Sequence, residues 1–265
     1  MKFRLLMFVF SAFFVLSVSK VALANENEGS STVIDYESSQ LSNEELFQKA
    51  LAGELVNNEH TQVYVTVTES DSEQPQGLLS TTEEDKVEIT KVEIHKVLSE
   101  EAFPNGDVIS KGESEVTLLA AGSLSEDKYP ASSSVGVRIK LDYDGQSLGG
   151  FSTRKLTRYT VTPLRSDIAF SMTSLEYQAA NFGTGWKADG TMYVASEYMP
   201  KQQITSIVYN SPMSHTTNFV KYTPINSDVI ASSGVTGKFS YRRGSGFILF
   251  EKLGFFHCSV KAPDC

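Results

Sequence analysis

The sequence predicts an all-β fold, an antiparallel β-sandwich or barrel with one short helix near the N-terminus. Three observations carry this. From Val135 onward, runs rich in Thr, Tyr, Val and Phe recur about every ten residues with Gly and Pro between them, the spacing of short antiparallel strands. Apolar and polar residues alternate with period two in Val63–Thr68 and Val135–Tyr143. Only Ser42–Leu55 carries apolar residues at helical spacing behind a helix start signal.

At the N-terminus, Lys2 and Arg4 precede an apolar run, Leu5–Leu16 broken at Ser11, which leads to Ala22-Leu23-Ala24. A positive start, a short apolar centre and a small-x-small end predict a secretory signal peptide over residues 1–24. As a helix the run covers about 18 Å, against the roughly 30 Å of a bilayer core. Later in the chain, Phe247–Phe250 and Phe255-Phe256 are interrupted by Glu251, Lys252 and Gly254, so no second run has membrane length. No Cys follows the cleavage site and no Leu-Pro-x-Thr-Gly signal stands near the C-terminus. The expectation is a secreted bacterial protein, extracellular or loosely held at the cell surface, with no transmembrane segment in its mature form.

Charge is spread unevenly. Residues 25–128 hold 23 Asp and Glu against 6 Lys and Arg, whereas residues 129–265 hold 9 against 14. The Ser/Glu/Gln-rich stretches within 25–42 and 69–86 have too few apolar side chains to pack. Residues 25–60 are therefore expected to be an acidic polar leader with the short helix, and 61–265 the antiparallel β domain. Composition and charge both change near 120–134, which marks a sub-boundary. An acidic exported chain gives nucleic acid no electrostatic foothold, so none is expected as a partner.

Taken in order, residues 25–41 are polar and expected to be disordered. Ser42-Asn43-Glu44-Glu45 is a capping box, in which the Ser42 hydroxyl accepts from the Glu45 N–H and Glu45 reaches back to the Ser42 N–H. Leu46, Phe47, Ala50, Leu51 and Leu55 form the apolar stripe behind it, and Gly53 with Asn57-Asn58 stops the helix. A strand over Val63–Thr68 and a loop over Ser70–Ser80 follow. Lys86–Ile94 contains a near repeat, KVEI and KVEI five residues apart, whose apolar residues fall out of phase; a bulge near Lys91 is expected to restore them to one face. Asp144-Gly145 is expected to turn a hairpin after Val135–Tyr143. Further strands are expected at Phe151–Thr162, Ile168–Tyr177, Thr191–Tyr198, Gln203–Tyr209, Asn218–Tyr222, Val235–Arg242 and Gly246–Leu253.

Among candidate sites, Cys258 and Cys265 are expected to form a disulfide, since export brings oxidising surroundings and Pro263 helps the short ring turn back. His60, His95, His215 and His257 have no metal-ligand spacing, and no metal or other cofactor is expected. Asp142-Tyr143-Asp144-Gly145 opens like a calcium loop, but the position of the closing acid is Phe151. No Gly-x-Ser-x-Gly elbow occurs. Trp186, the only Trp, sits in a Gly-rich stretch, where it either anchors a partner or packs into the core. Lys238, Tyr241, Arg242 and Arg243 form a basic patch suited to an anionic surface, or a solvated edge strand.

The C-terminal half resembles small exported β-proteins of Gram-positive bacteria in texture, and that resemblance implies no activity. The function expected from these residues is non-catalytic: an extracellular or cell-envelope interaction module, its partner an anionic envelope polymer or another extracellular protein. A hydrolase with a discontinuous active site, or a pore-forming or membrane-lytic protein, is the alternative.

Overall fold

The computed structural model describes residues 31–71, 86–122, 135–225, 229–245 and 249–258. Strand β1 (Thr32–Asp35) precedes helix α1 (Asn43–Leu51). Five long strands follow: β2 (Thr61–Asp71), β3 (Lys86–Ala102), β4 (Val108–Gly122), β5 (Val135–Leu148) and β6 (Phe151–Arg165). Next come β7 (Phe170–Gly183), β8 (Gly185–Trp186), β9 (Met192–Tyr193), β10 (Glu197–Tyr198), β11 (Gln202–Ile204), β12 (Met213–Thr216), β13 (Thr223–Pro224), β14 (Ala231–Arg243) and β15 (Leu249–Cys258). All described pairings are antiparallel.

Two open sheets make the sandwich. The larger runs β3-β4-β5-β6, with β1 and β2 end to end along β3 and β12 and β13 along β6; the smaller runs β7-β14-β15, with β10 and β11 along β7. Alternation builds the core between them. Val135, Val137, Ile139 and Leu141 of β5 all face inward, against Phe170, Leu175, Tyr177, Val235, Phe239 and Tyr241 of the smaller sheet.

Three bulges keep inward residues in phase. Leu98, Thr157 and Thr173 are the extra residues. Thr157 lets Leu156 and Tyr159, three apart, face the same core, and Thr173 does so for Met172 and Leu175. Each Thr hydroxyl donates to the opposite strand, Thr157 to Asp142 O at 2.9 Å and Thr173 to Ser240 O at 3.2 Å.

Several expectations change here. No bulge occurs at Lys91; β3 stays in register with β2 from Lys86 to Lys96. In the second half of the repeat, Val92 and Ile94 are buried beneath α1. Asp144-Gly145 is not a turn. Both residues lie within β5, where a Cβ on Gly145 would stand 2.5 Å from Ser110 Oγ, and the hairpin closes at Gly149-Gly150 with φ of 60° and 81°. Asn218–Tyr222 is not a strand, whereas Val108–Gly122 and Met213–Thr216 are. Part of the stretch expected to be disordered is ordered, since β1 pairs with Ser99–Ala102 of β3. Strands β4 and β5 are neighbours across 123–134. Residues 1–24, the Ser72–Ser80 part of the loop, Gly246–Ile248 and Cys265 lie outside the described residues.

Helix α1 covers the other face of the larger sheet. Both halves of the capping box are present, and Leu46, Phe47 and Ala50 pack on Val63, Val92 and Ile94, while Leu51 and Leu55 stay exposed. Ser42→Ala is expected to cost about 1 kcal/mol of unfolding free energy through the lost cap. Leu46→Ala is expected to cost about 2–5 kcal/mol. Urea denaturation reads both, and a Leu46→Ala variant as stable as the parent would mean that the helix does not bury this face.

Candidate functional site

Strand register brings one combination of chemically active side chains together. His95 stands opposite Ser114 across β3 and β4, and Glu93, two residues back, shares that face. His95 Nδ1 is 2.9 Å from Ser114 Oγ, and His95 Nε2 is 3.5 Å from Glu93 Oε2. These are the residue types of a nucleophile, a base and an orienting carboxylate. The surroundings do not suit acyl transfer. Ser114 is 0% exposed, so a substrate carbonyl has no approach, and its strand is paired on both sides, which commits the local N–H groups to ladders. Lys91 Nζ, 2.6 Å from Glu93 Oε1, balances the carboxylate. The ring of Tyr64 meets His95 edge-on at 5.9 Å. This is a cross-strand polar cluster.

The basic patch divides by alternation. Phe239 and Tyr241 point into the core at 0% exposure, and Lys238 and Arg242 point out. Lys238 lies opposite Glu176, whose carboxylate it shares with Lys201, at 3.4 and 2.8 Å. The Lys201 hydrogen bond holds the Glu176 carboxyl below the usual range. Arg243 closes β14 opposite Phe170. Lys201 and Lys238 thus share one acid on the outer side of the smaller sheet, and Arg242 points out of the same sheet farther along β14, opposite Ser171.

Trp186 is buried. Its ring stacks on Phe151 at 5.2 Å and stands against the Gly149 turn, and its main chain bonds Tyr222 in both directions. Cys258 ends β15 opposite Ser232, and the disulfide partner expected from sequence lies outside the described residues. His60 stacks on Tyr36 at 3.8 Å, His215 Nε2 meets the Tyr177 hydroxyl at 3.0 Å, and His257 pairs with Ser233 along β15. Among the described residues no group of three His, Cys, Asp or Glu is placed to hold a metal ion, and no helix is long and apolar enough to cross a membrane.

A feature not read from the sequence is the free edge of the larger sheet. No described strand pairs with the outer side of β2. Tyr64, Val65 and Val67 are 50%, 36% and 57% exposed there, and β1 adds exposed Val33 and Ile34 at the same edge. The signal available in the sequence was Thr61–Thr68, eight residues of strand with no charge to protect an edge. A cleft of about 380 Å³ under α1 is lined by Phe47, Leu119, Leu164, Arg138 and Arg165, among others, but Glu44 already occupies Arg138 at 3.1 Å. Compared with known proteins, the chain matches no family, no curated protein and no solved structure.

The polar cluster has a pH signature. Burial pushes the Glu93 carboxyl up, but hydrogen bonds from His95 and Lys91 and the charge of Lys91 outweigh burial and hold it at about 2, against 4.5 ordinarily. A carboxyl lowered in the folded state stabilises above its unfolded value and loses that contribution as pH falls toward the folded one. Glu93→Gln is therefore expected to be less stable than the parent at pH 7, with the difference closing between pH 4.5 and pH 2. Thermal melts of both proteins across this range check it, and a gap independent of pH would refute the assignment.

Proposed function

We propose that the chain is a non-catalytic interaction module working outside the cell, which docks an extended, basic segment of another extracellular protein along the β1–β2 edge. The exposed apolar edge is the observation that carries this reading. An unpaired strand offers main-chain donors and acceptors to an incoming strand, and its exposed side chains give the contact hydrophobic weight. Charge selects the occupant: β1 and β2 carry Asp35, Glu69 and Asp71 and no Lys or Arg. The export expected from residues 1–24 supports this reading, since it would bring such an edge to other extracellular proteins.

The probe is a ten-residue synthetic peptide of alternating valine and lysine, titrated against the full chain by fluorescence anisotropy. Binding is expected to weaken with salt and to fall by about tenfold or more in the double variant Val65→Lys, Val67→Lys. No binding, equal binding by the variant, or a concentration-dependent dimer formed through this edge would each overturn the peptide reading.

A second reading rests on Lys201 and Lys238 at Glu176, with Arg242 exposed farther along β14, a net-positive face suited to an anionic envelope polymer. In that case the chain is expected to pellet with bacterial cell walls at low salt and to stay in solution at high salt. Lys238→Ala with Arg242→Ala is expected to abolish pelleting, and a supernatant fraction at both salts would refute it.

A further inference from the structure

Alternation turns one side of the smaller sheet away from the core. Leu175, Tyr177 and Ala179 of β7 belong to the core, so Glu176, Gln178, Ala180 and Phe182 face out. Register sets Tyr198 of β10 beside Ala180, and Gln203 of β11 beside Glu176. On the other side of β7, Thr236 and Lys238 of β14 stand opposite Gln178 and Glu176. Ala180 and Gly234, opposite each other, carry nothing larger than a methyl group.

One end of this face is aromatic. Tyr198 is 56% exposed, and Phe182 meets it edge to face at 5.4 Å with the ring planes 78° apart. The contact fixes the Tyr198 ring and leaves more than half of the residue to solvent. An aromatic face is slightly negative and attracts the C–H groups on one face of a sugar ring. The other end is cationic and lies four residues along β7, about 13 Å at strand spacing. Lys201 and Lys238 share Glu176 there, at 2.8 and 3.4 Å, which leaves one positive charge uncompensated. Arg242 is exposed farther along β14, and among the described residues no carboxylate lies within ion-pair distance of it. Gln203 and Thr236, exposed on the same face, carry the amide and hydroxyl groups that suit sugar hydroxyls.

We infer, on the reading of this face as a site for an anionic polymer, that it binds an acidic polysaccharide built of uronic-acid sugars, with one ring on Tyr198 and carboxylates at Lys238 and Arg242. Charge alone would accept any polyanion. The aromatic pair adds the selection, because only a ligand with ring faces gains from it. A uronate unit carries a ring face and a carboxylate together, so a chain of them reaches both ends of the site at once. The strands hold the two ends at a fixed spacing, so little ordering is needed when the chain docks.

Fluorescence anisotropy with the full chain tests this, using labelled oligogalacturonate and, as a polyanion without sugar rings, labelled polyphosphate. Both probes are expected to bind at low salt. Tyr198→Ala is expected to weaken oligogalacturonate binding about fivefold and to leave polyphosphate binding unchanged, while Tyr198→Phe keeps both. Lys238→Ala with Arg242→Ala is expected to weaken both by about tenfold or more. Far-ultraviolet circular dichroism is expected to be the same for all variants, since the three side chains are exposed. Polyphosphate binding without oligogalacturonate binding would overturn the glycan and leave the anionic-polymer reading standing, and binding of neither would end both. Equal effects of Tyr198→Ala on the two probes would overturn the ring contact, and oligogalacturonate binding undiminished in the double variant would overturn the site.

Discussion

Charges are buried or half-buried on the outer face of the larger sheet, and their pairing constrains the strands beneath. Lys96, Glu113, Glu115, Arg138 and Lys140 stand on three adjacent strands at positions that register brings face to face. Glu113 lies between Lys96, at 3.2 Å, and Lys140. Burial pushes its carboxyl up, but the hydrogen bond and charge of Lys140, with those of Lys96, leave it below the usual range. Glu115 shows the reverse balance. Burial raises it despite Arg138, whose Nε sits 3.3 Å from Glu115 Oε1 as an ion contact without hydrogen-bond geometry. Removing one member of such a buried lattice costs about 3–5 kcal/mol, because its partner stays desolvated.

The same lattice holds the helix. Asn43 reaches Glu115 at 3.3 Å and accepts from Lys96 at 3.0 Å. Arg138 bonds Glu44 and lies over the Phe47 ring at 5.1 Å. Helix α1 can therefore cover Val63, Val92 and Ile94 only while β3, β4 and β5 keep their register. A slip of one residue would turn every charge into the sandwich core and every core residue outward. The lattice gives specificity where an apolar face would have tolerated several registers.

The two surfaces proposed for partners lie on different sheets of the sandwich. No described strand pairs with the outer side of β2, and Val65 and Val67 stay exposed on it. On the smaller sheet the outer face alternates against a buried inner face, which turns Lys238 and Arg242 outward and sets Lys238 beside Lys201 at Glu176. Both surfaces lie on long strands fixed by the core, so a partner meets a rigid template rather than a loop that must first be ordered.

Local patterning determined the fold class, the capping box, the helix stripe and most strands from Val135 onward, because alternation and turn chemistry depend only on near neighbours. It misled at Asp144-Gly145, since a glycine that makes room for a cross-strand neighbour looks the same in sequence as one that turns a hairpin. Strand β4 escaped notice because GESE interrupts its apolar residues, and those acids are tolerable only with cations from β3 and β5 opposite them. The bulges at Thr157 and Thr173, the division of Lys238 and Arg242 from Tyr241, and the meeting of Tyr198 with Phe182 were settled by tertiary structure. Each joins residues distant in the chain or depends on which face the core claims, and the chain alone carries no record of that choice.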